Sequence, residues 1–177
     1  MAMLIMGYSM GGWIGLGLAA TYPARFHSIV VGGIGPHALS PEPSRFWREP
    51  MIEAMKGGME DYCQRLEAAE ERKLSEYERA GYLELDHEAL IAMLSVAEEP
   101  DFVHTLADSN VHMLMYVGEL DIHHDSAKDF CGRLQNAQFL TIPGRDHGRA
   151  AELHDYLATE IIRFLEAHTP DSSDRCS

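Results

Sequence analysis

A serine hydroxyl is a weak nucleophile at neutral pH, so a reacting serine is recognised by the groups able to activate it. Ser9 lies in the run Gly7-Tyr8-Ser9-Met10-Gly11-Gly12, which fits G-x-S-x-G between a strand-like and a helix-like segment. A serine on such a turn exposes its hydroxyl at the carboxyl end of a sheet, and small residues at Gly7 and Gly11 avoid clashes that larger side chains would create. The helix behind it aims its N-terminal dipole and the Met10 backbone N–H, the candidate oxyanion donor, at developing negative charge. The plainer reading is a Gly-rich turn, of a phosphate loop for example, which the lack of a following Lys weakens.

A base and a group to orient it are then required. Asp121 follows one later strand-like run and His147 the next. In a loop, either residue type is often a cap or a surface group, and Asp125 and Asp146 compete with Asp121 for the acidic role. Asp125 reads better as a helix N-cap. Asp121, His123, His124 and Asp125 also have the donor types of a small metal site, but consecutive histidines on a loop need not point the same way, and no metal is expected. In the middle of the chain, Trp47, Met51, Met55 and Tyr62 serve equally well as pocket lining or as ordinary core.

The elements that must position these groups read as alternating strands and helices. Met3 to Met6 is a short apolar run of the kind buried on both faces of a parallel sheet, and a helix over Gly11 to Tyr22 follows, with Gly15, Gly17, Ala19 and Ala20 permitting close approach and Pro23 ending it. Ser28 to Ile34 is a second buried strand closed by Gly35-Pro36, Val111 to Val117 a third and Phe139 to Ile142 a fourth. A helix starts at Asp125 or Ser126. Leu153, Leu157, Ile161, Phe164 and Leu165 recur at helical spacing up to about His168. Between these parts the composition turns charged and helix-favouring. The longest helix there is predicted from near Met59 to Ala80, with Gly81 as its left-handed C-terminal residue and Asp86 as the next N-cap. The organisation expected is an α/β core over 1–38 and 110–168, a helical insertion over 39–109 and a disordered tail over 169–177.

Composition narrows the partners. A net charge of -14 over 177 residues, with no run of Lys or Arg, repels phosphate backbones, so no nucleic-acid partner is expected. The apolar start from Ala2 to Ala20 has no basic residues before it and is interrupted by five glycines, Gly7, Gly11, Gly12, Gly15 and Gly17, and by Tyr8 and Ser9, which suits a strand and a packed helix and not a membrane span or signal peptide. Cys63, Cys131 and Cys176 are odd in number and widely spaced, which reads as reduced thiols in a cytoplasmic protein.

The elbow motif, the crossover strand, the helical insertion, Gly118-Glu119-Leu120-Asp121 and Asp146-His147-Gly148 before a terminal helix together resemble the α/β-hydrolase superfamily, in its capped serine esterase and carbon–carbon bond hydrolase branches. The resemblance covers nearly the whole chain. It implies that His147 deprotonates Ser9 and then protonates the leaving group, that Asp121 holds the imidazole's tautomer, and that no cofactor is needed. An ester or thioester of a small molecule is the substrate it implies first; lactones, carbon–carbon bonds and cofactor-free haloperoxidase chemistry share the motifs. Serine at position 9 argues against the branches that use an aspartate there. Members of the superfamily carry four or more strands ahead of the elbow strand, with a second oxyanion donor on one of their loops. The chain therefore reads as lacking the front of the fold, with an impaired or non-catalytic remnant as the rival to an active enzyme. The strand at Met3 to Met6 is then expected at an apolar edge that pairs with another copy or a complementing chain.

Overall fold

Runs of β-branched and other apolar residues give the strands two apolar faces, and burying both requires helices on each side of a parallel sheet. The computed structural model describes residues 3–36, 45–69, 71–95, 102–152 and 155–168. Among the described residues four strands, β1 (Met3–Tyr8), β2 (Phe26–Gly32), β3 (His112–Gly118) and β4 (Ala137–Ile142), pair in chain order, all parallel. In register, Tyr8 faces Gly32, Gly32 faces Tyr116, and Gly118 faces Ile142. The parallel sheet expected from the sequence is therefore present, with β2 ending two residues earlier, where Gly33 adopts φ 63°, and with β1 exposed at Met3, Leu4 and Met6 and not buried on both faces, because it is the edge strand among the described residues.

Contacts divide the chain into two compact units, Met1–Pro41 with Pro100–Ser177, and Glu42–Glu99. In the first, alternate strand residues separate cleanly. Ile29, Val31, Met113, Met115 and Val117 form one core with α1 (Met10–Thr21), α6 (Phe102–Ala107) and α7 (His124–Arg133). Val30, Leu114, Tyr116 and Ile142 form the other with α9 (Asp155–His168), through Leu157, Ile161 and Phe164. Fully burying a side chain such as Leu16 or Phe130 is worth about 1.5–3 kcal/mol. Helix α6, expected in the insertion, belongs to this unit because Phe102 and Leu106 pack in its core. Close packing of α1 occurs at Gly12, where an added Cβ would lie 3.0 Å from Ile34; at Gly15 and Gly17 it would meet nothing within 4 Å.

The second unit holds α2 (Arg45–Met55), α3 (Met59–Ala69), α4 (Glu76–Leu83) and α5 (His87–Ser95). The single helix expected from Met59 to Ala80 is two helices. Ser75 and Glu78 form a capping box that starts α4, Glu71 takes a positive φ of 51° in the linker, and Gly81 lies inside α4 without one. Glu67 ties the two helices together, accepting from the Leu74 N–H at 3.2 Å, Lys73 at 2.7 Å and Arg79 at 3.3 Å. Asp86 accepts from the Ala89 N–H at 3.1 Å, as an N-cap does. Met55 and Tyr62 are buried with Ala54, Met59 and Leu94, and Met51 packs against them, so these residues are core. The Trp47 side chain, Leu153, Cys176 and the expected tail over 169–177 lie outside the described residues. Among the described residues no helix is long and apolar enough to cross a membrane. Cys63 and Cys131 are buried free thiols, and burial pushes Cys131 up to about 12, which leaves it unreactive.

Candidate active site

Strand β1 ends in a turn too sharp for relaxed backbone: Ser9 has φ 50° and ψ -116°, a conformation costing about 1–3 kcal/mol in a residue with a side chain. Two hydrogen bonds hold it, from the Ser9 N–H to the Gly32 carbonyl at 2.8 Å and from the Trp13 N–H to the Ser9 carbonyl at 3.0 Å. Gly7 makes the turn possible, since a Cβ there would sit 2.3 Å from the Gly11 carbonyl carbon and oxygen. At Gly11 an added Cβ meets nothing within 4 Å, so the clash expected on that side of the serine is absent among the described residues. Met10 is the first residue of α1, where backbone N–H groups have no partner within the helix.

The second contribution comes from the loop after β3. Asp121 sits in a buried turn, its N–H donating to the Gly118 carbonyl at 3.1 Å and its carbonyl accepting from the His124 N–H at 3.0 Å. The Asp121 side chain is fully buried, with Oδ1 accepting from the His123 N–H at 2.9 Å. The third comes from the loop after β4. That loop is tied to the β3 loop by the Leu120 N–H donating to the Arg145 carbonyl at 2.9 Å and by the Glu119 carboxylate accepting from the Gly144 N–H at 2.9 Å. His147 opens the short helix α8 (His147–Ala150), capped by Asp146, whose carboxylate accepts from the Arg149 N–H at 2.8 Å.

These three loops bring the three side chains into one line. His147 Nδ1 lies 2.8 Å from Asp121 Oδ2, and His147 Nε2 lies 3.0 Å from Ser9 Oγ. An ionised carboxylate only accepts, so the imidazole proton belongs on Nδ1 and Nε2 is left to accept from the serine hydroxyl. The competing acids have other work. Asp146 caps α8, and Asp125 lies in the first turn of α7, whose N-cap position is held by His123 and not by Asp125. The two histidines of the same loop diverge: His123 is buried with its ring 5.9 Å from that of His147, whereas His124 reaches Thr141 at 3.0 Å and Asp125 at 2.9 Å. Burial pushes the His123 imidazole down to about 4; the Asp121 carboxylate opposes this and His147 reinforces it. Among the described residues no group of three or more His, Cys, Asp or Glu is arranged to hold a metal ion.

Sequence reasoning passed over Tyr8, Glu119 and the His123 N–H. Only the last had a signal, an Asp two residues before a helix N-cap, where an Asx turn fixes the carboxylate. A cleft of about 420 Å³ lies at the opposite end of β1 from Ser9, lined by Met3, Leu4, Ile5, Leu18, Tyr22, Arg25 and Phe26.

No protein-family model and no curated protein matches the chain by sequence, but solved structures match it by fold. The chain is similar to a carboxylesterase structure from Nitrososphaera gargenis at TM-score 0.73 and 18% identity, covering 94% of this chain and 65% of that one. A bromoperoxidase from Bacillus anthracis gives TM-score 0.76 at 19% identity, with 92% of this chain and 67% of that one covered. An α/β hydrolase from a deep-sea metagenome library gives 0.70 at 20%, with 96% and 67% covered. The chain thus spans about two thirds of the length of these structures, and what it shares with them is the α/β-hydrolase fold.

Proposed function

We propose that the protein is a serine hydrolase that cleaves a carboxylic ester or thioester of a small molecule through an acyl-enzyme on Ser9. The observation that supports this reading is the continuous pair of hydrogen bonds from Ser9 Oγ through His147 to Asp121, at 3.0 and 2.8 Å, made by residues from three separate loops. The fold shared with a carboxylesterase and an α/β hydrolase supports the reaction class.

In the first half-reaction Ser9 Oγ attacks the substrate carbonyl carbon as its proton passes to His147 Nε2. The oxyanion so formed faces the Met10 N–H and the N-terminus of α1. The carbonyl reforms, the carbon–oxygen or carbon–sulfur bond breaks, and the leaving group takes the proton back from Nε2. Water then attacks the acyl-Ser9 carbonyl, giving its proton to His147, and the acid departs as the serine oxygen is reprotonated. Throughout, Asp121 keeps the imidazole in the Nδ1–H tautomer and stabilises the imidazolium. The strained backbone at Ser9 serves the same end, because it holds the hydroxyl forward before substrate arrives.

The test is the intact mass of the chain after exposure to a fluorophosphonate, compared with Ser9→Ala. A single adduct on wild type alone is the expected result. A folded wild type that takes no adduct, or one that reacts equally in Ser9→Ala, refutes the reading.

A further inference from the structure

Tyr8 occupies a position that the elbow motif leaves open, yet it is where β1 meets the histidine loop. Its phenol O–H donates to the backbone carbonyl of His147, 139 residues away. Its ring lies 5.4 Å from the His147 imidazole at 45°, and 5.8 Å from the ring of Tyr116. The bed for that ring is cut by two glycines of the neighbouring strand end. A Cβ on Gly33 would come within 2.4 Å of Tyr8 Cζ, and one on Gly32 within 2.6 Å of Tyr8 Cδ2.

The backbone ties of the histidine loop lie on either side of His147: Gly144 and Arg145 bond to the β3 loop, and Asp146 caps α8. Helix α8 is four residues long, with Gly148 and Arg149 exposed. The turn is closed by the Ala150 N–H donating to the Asp146 carbonyl, the Ala151 N–H to Gly148, the Glu152 N–H to Arg149 and the Arg149 N–H to the Asp146 carboxylate, while the His147 carbonyl takes the phenol proton. The His147 side chain is 43% exposed, so packing does not by itself fix the ring. Burial, reinforced by the Asp121 charge, raises the Tyr8 phenol above its ordinary value, so it stays a donor over the pH range in which a serine hydrolase is assayed.

We propose that Tyr8 is a positioning residue: its hydroxyl anchors the His147 backbone and its ring backs the imidazole, keeping Nε2 within reach of Ser9. This rests on the assignment of Ser9 and His147 as nucleophile and base. The role is distinct from that of Asp121, which sets the tautomer, because Tyr8 sets where the ring stands. An error of about 1 Å in such a placement costs about 100-fold in rate.

The experiment measures the rate of fluorophosphonate labelling, by intact mass, and the turnover of p-nitrophenyl acetate for wild type, Tyr8→Phe and Tyr116→Phe, with Ser9→Ala as the blank. Tyr116→Phe removes a hydroxyl from the adjacent buried ring, so it reports what a merely structural loss does. Tyr8→Phe is expected to label about 10- to 100-fold more slowly, with the loss in kcat and little change in KM, while Tyr116→Phe stays within about twofold of wild type. Labelling of Tyr8→Phe at the wild-type rate overturns the proposal, as does an equal loss in Tyr116→Phe. A Tyr8→Phe chain that has lost its fold by circular dichroism also overturns it, since the residue then acts through packing. A wild type that does not label at Ser9 refutes the assignment of the nucleophile and the positioning role with it, an outcome distinct from a labelled wild type matched by its variant.

Discussion

Acidification should weaken this fold through His123 before it acts on the carboxylates. The imidazole titrates at about 4 when folded, against 6.5 when free. Between those values the unfolded chain binds a proton that the folded chain refuses, so stability is intact above about 6.5 and falls as the pH drops toward about 4. At about 1.4 kcal/mol per pH unit the full loss is about 3 kcal/mol; near pH 5, where the unfolded imidazole is almost all protonated and the folded one almost all neutral, it is about 2 kcal/mol. Glu78 does not interfere. Its carboxyl is held down to about 2, chiefly by hydrogen bonds from Arg72, so its contribution is lost only below the ordinary 4.5. Burial lowers His112 too, in the same sense as His123, but a difference against a His123 variant cancels it. The assay is urea unfolding followed by tryptophan fluorescence at about pH 5 and about pH 7.5, at fixed ionic strength, for wild type and His123→Asn. Wild type should lose about 2 kcal/mol more than the variant between the two conditions. Parallel losses in the two proteins would refute the reasoning, because His123 would then protonate as readily folded as unfolded.

The elbow makes opposite predictions for its two flanking glycines: Gly7→Ala should cost about 1–3 kcal/mol or more, because its Cβ meets Gly11 backbone at 2.3 Å, and Gly11→Ala should stabilise by up to about 1 kcal/mol through helix propensity. Thermal unfolding of the pair reads this directly, and equal effects sink it. Asp121→Asn should lower kcat on an activated ester by about 10^4-fold by losing the Nδ1–H tautomer, and a loss under about tenfold would show that the carboxylate is not the orienting group. Along the open side of β1, Met3, Leu4 and Met6 are about half-exposed beside Met10 and Ile14. The 177-residue chain expressed alone should therefore run above its 19.8 kDa monomer mass in size exclusion with light scattering, and Met6→Lys should shift it toward that mass; a wild-type monomer refutes the edge argument.

What could be read from residues alone was whatever a backbone constraint had written into residue type. Ser9 was legible because the turn admits only glycine at Gly7, and the strands because Ile29 to Val31 and Met113 to Val117 must be apolar on both faces. Asp121 and His147 were legible by their places after β3 and β4. The parts set by tertiary packing were not. Tyr8 carries no signal, since a motif that tolerates any residue there says nothing of a carbonyl 139 residues away. His123 and His124 look alike in sequence, and only the fold buries one and turns the other toward Thr141. The break between α3 and α4 was written in Ser75 and Glu78 and was overridden by the helix-favouring composition around it. Helix α6 could not be assigned to its unit because a six-residue amphipathic segment fits a core as readily as an insertion.

The strands lie in the sheet in the order in which they occur along the chain. On a ribosome, then, each new strand adds to the free side of the last, and the elbow with its strained serine can be complete while His147 has yet to be synthesised. In the proposed reaction Ser9 and His147 are 138 residues apart, so a chain still being synthesised holds the nucleophile before it holds the base. Under that reading a nascent chain arrested before β4 carries the nucleophile without its base, and the loop after β4 completes the pair.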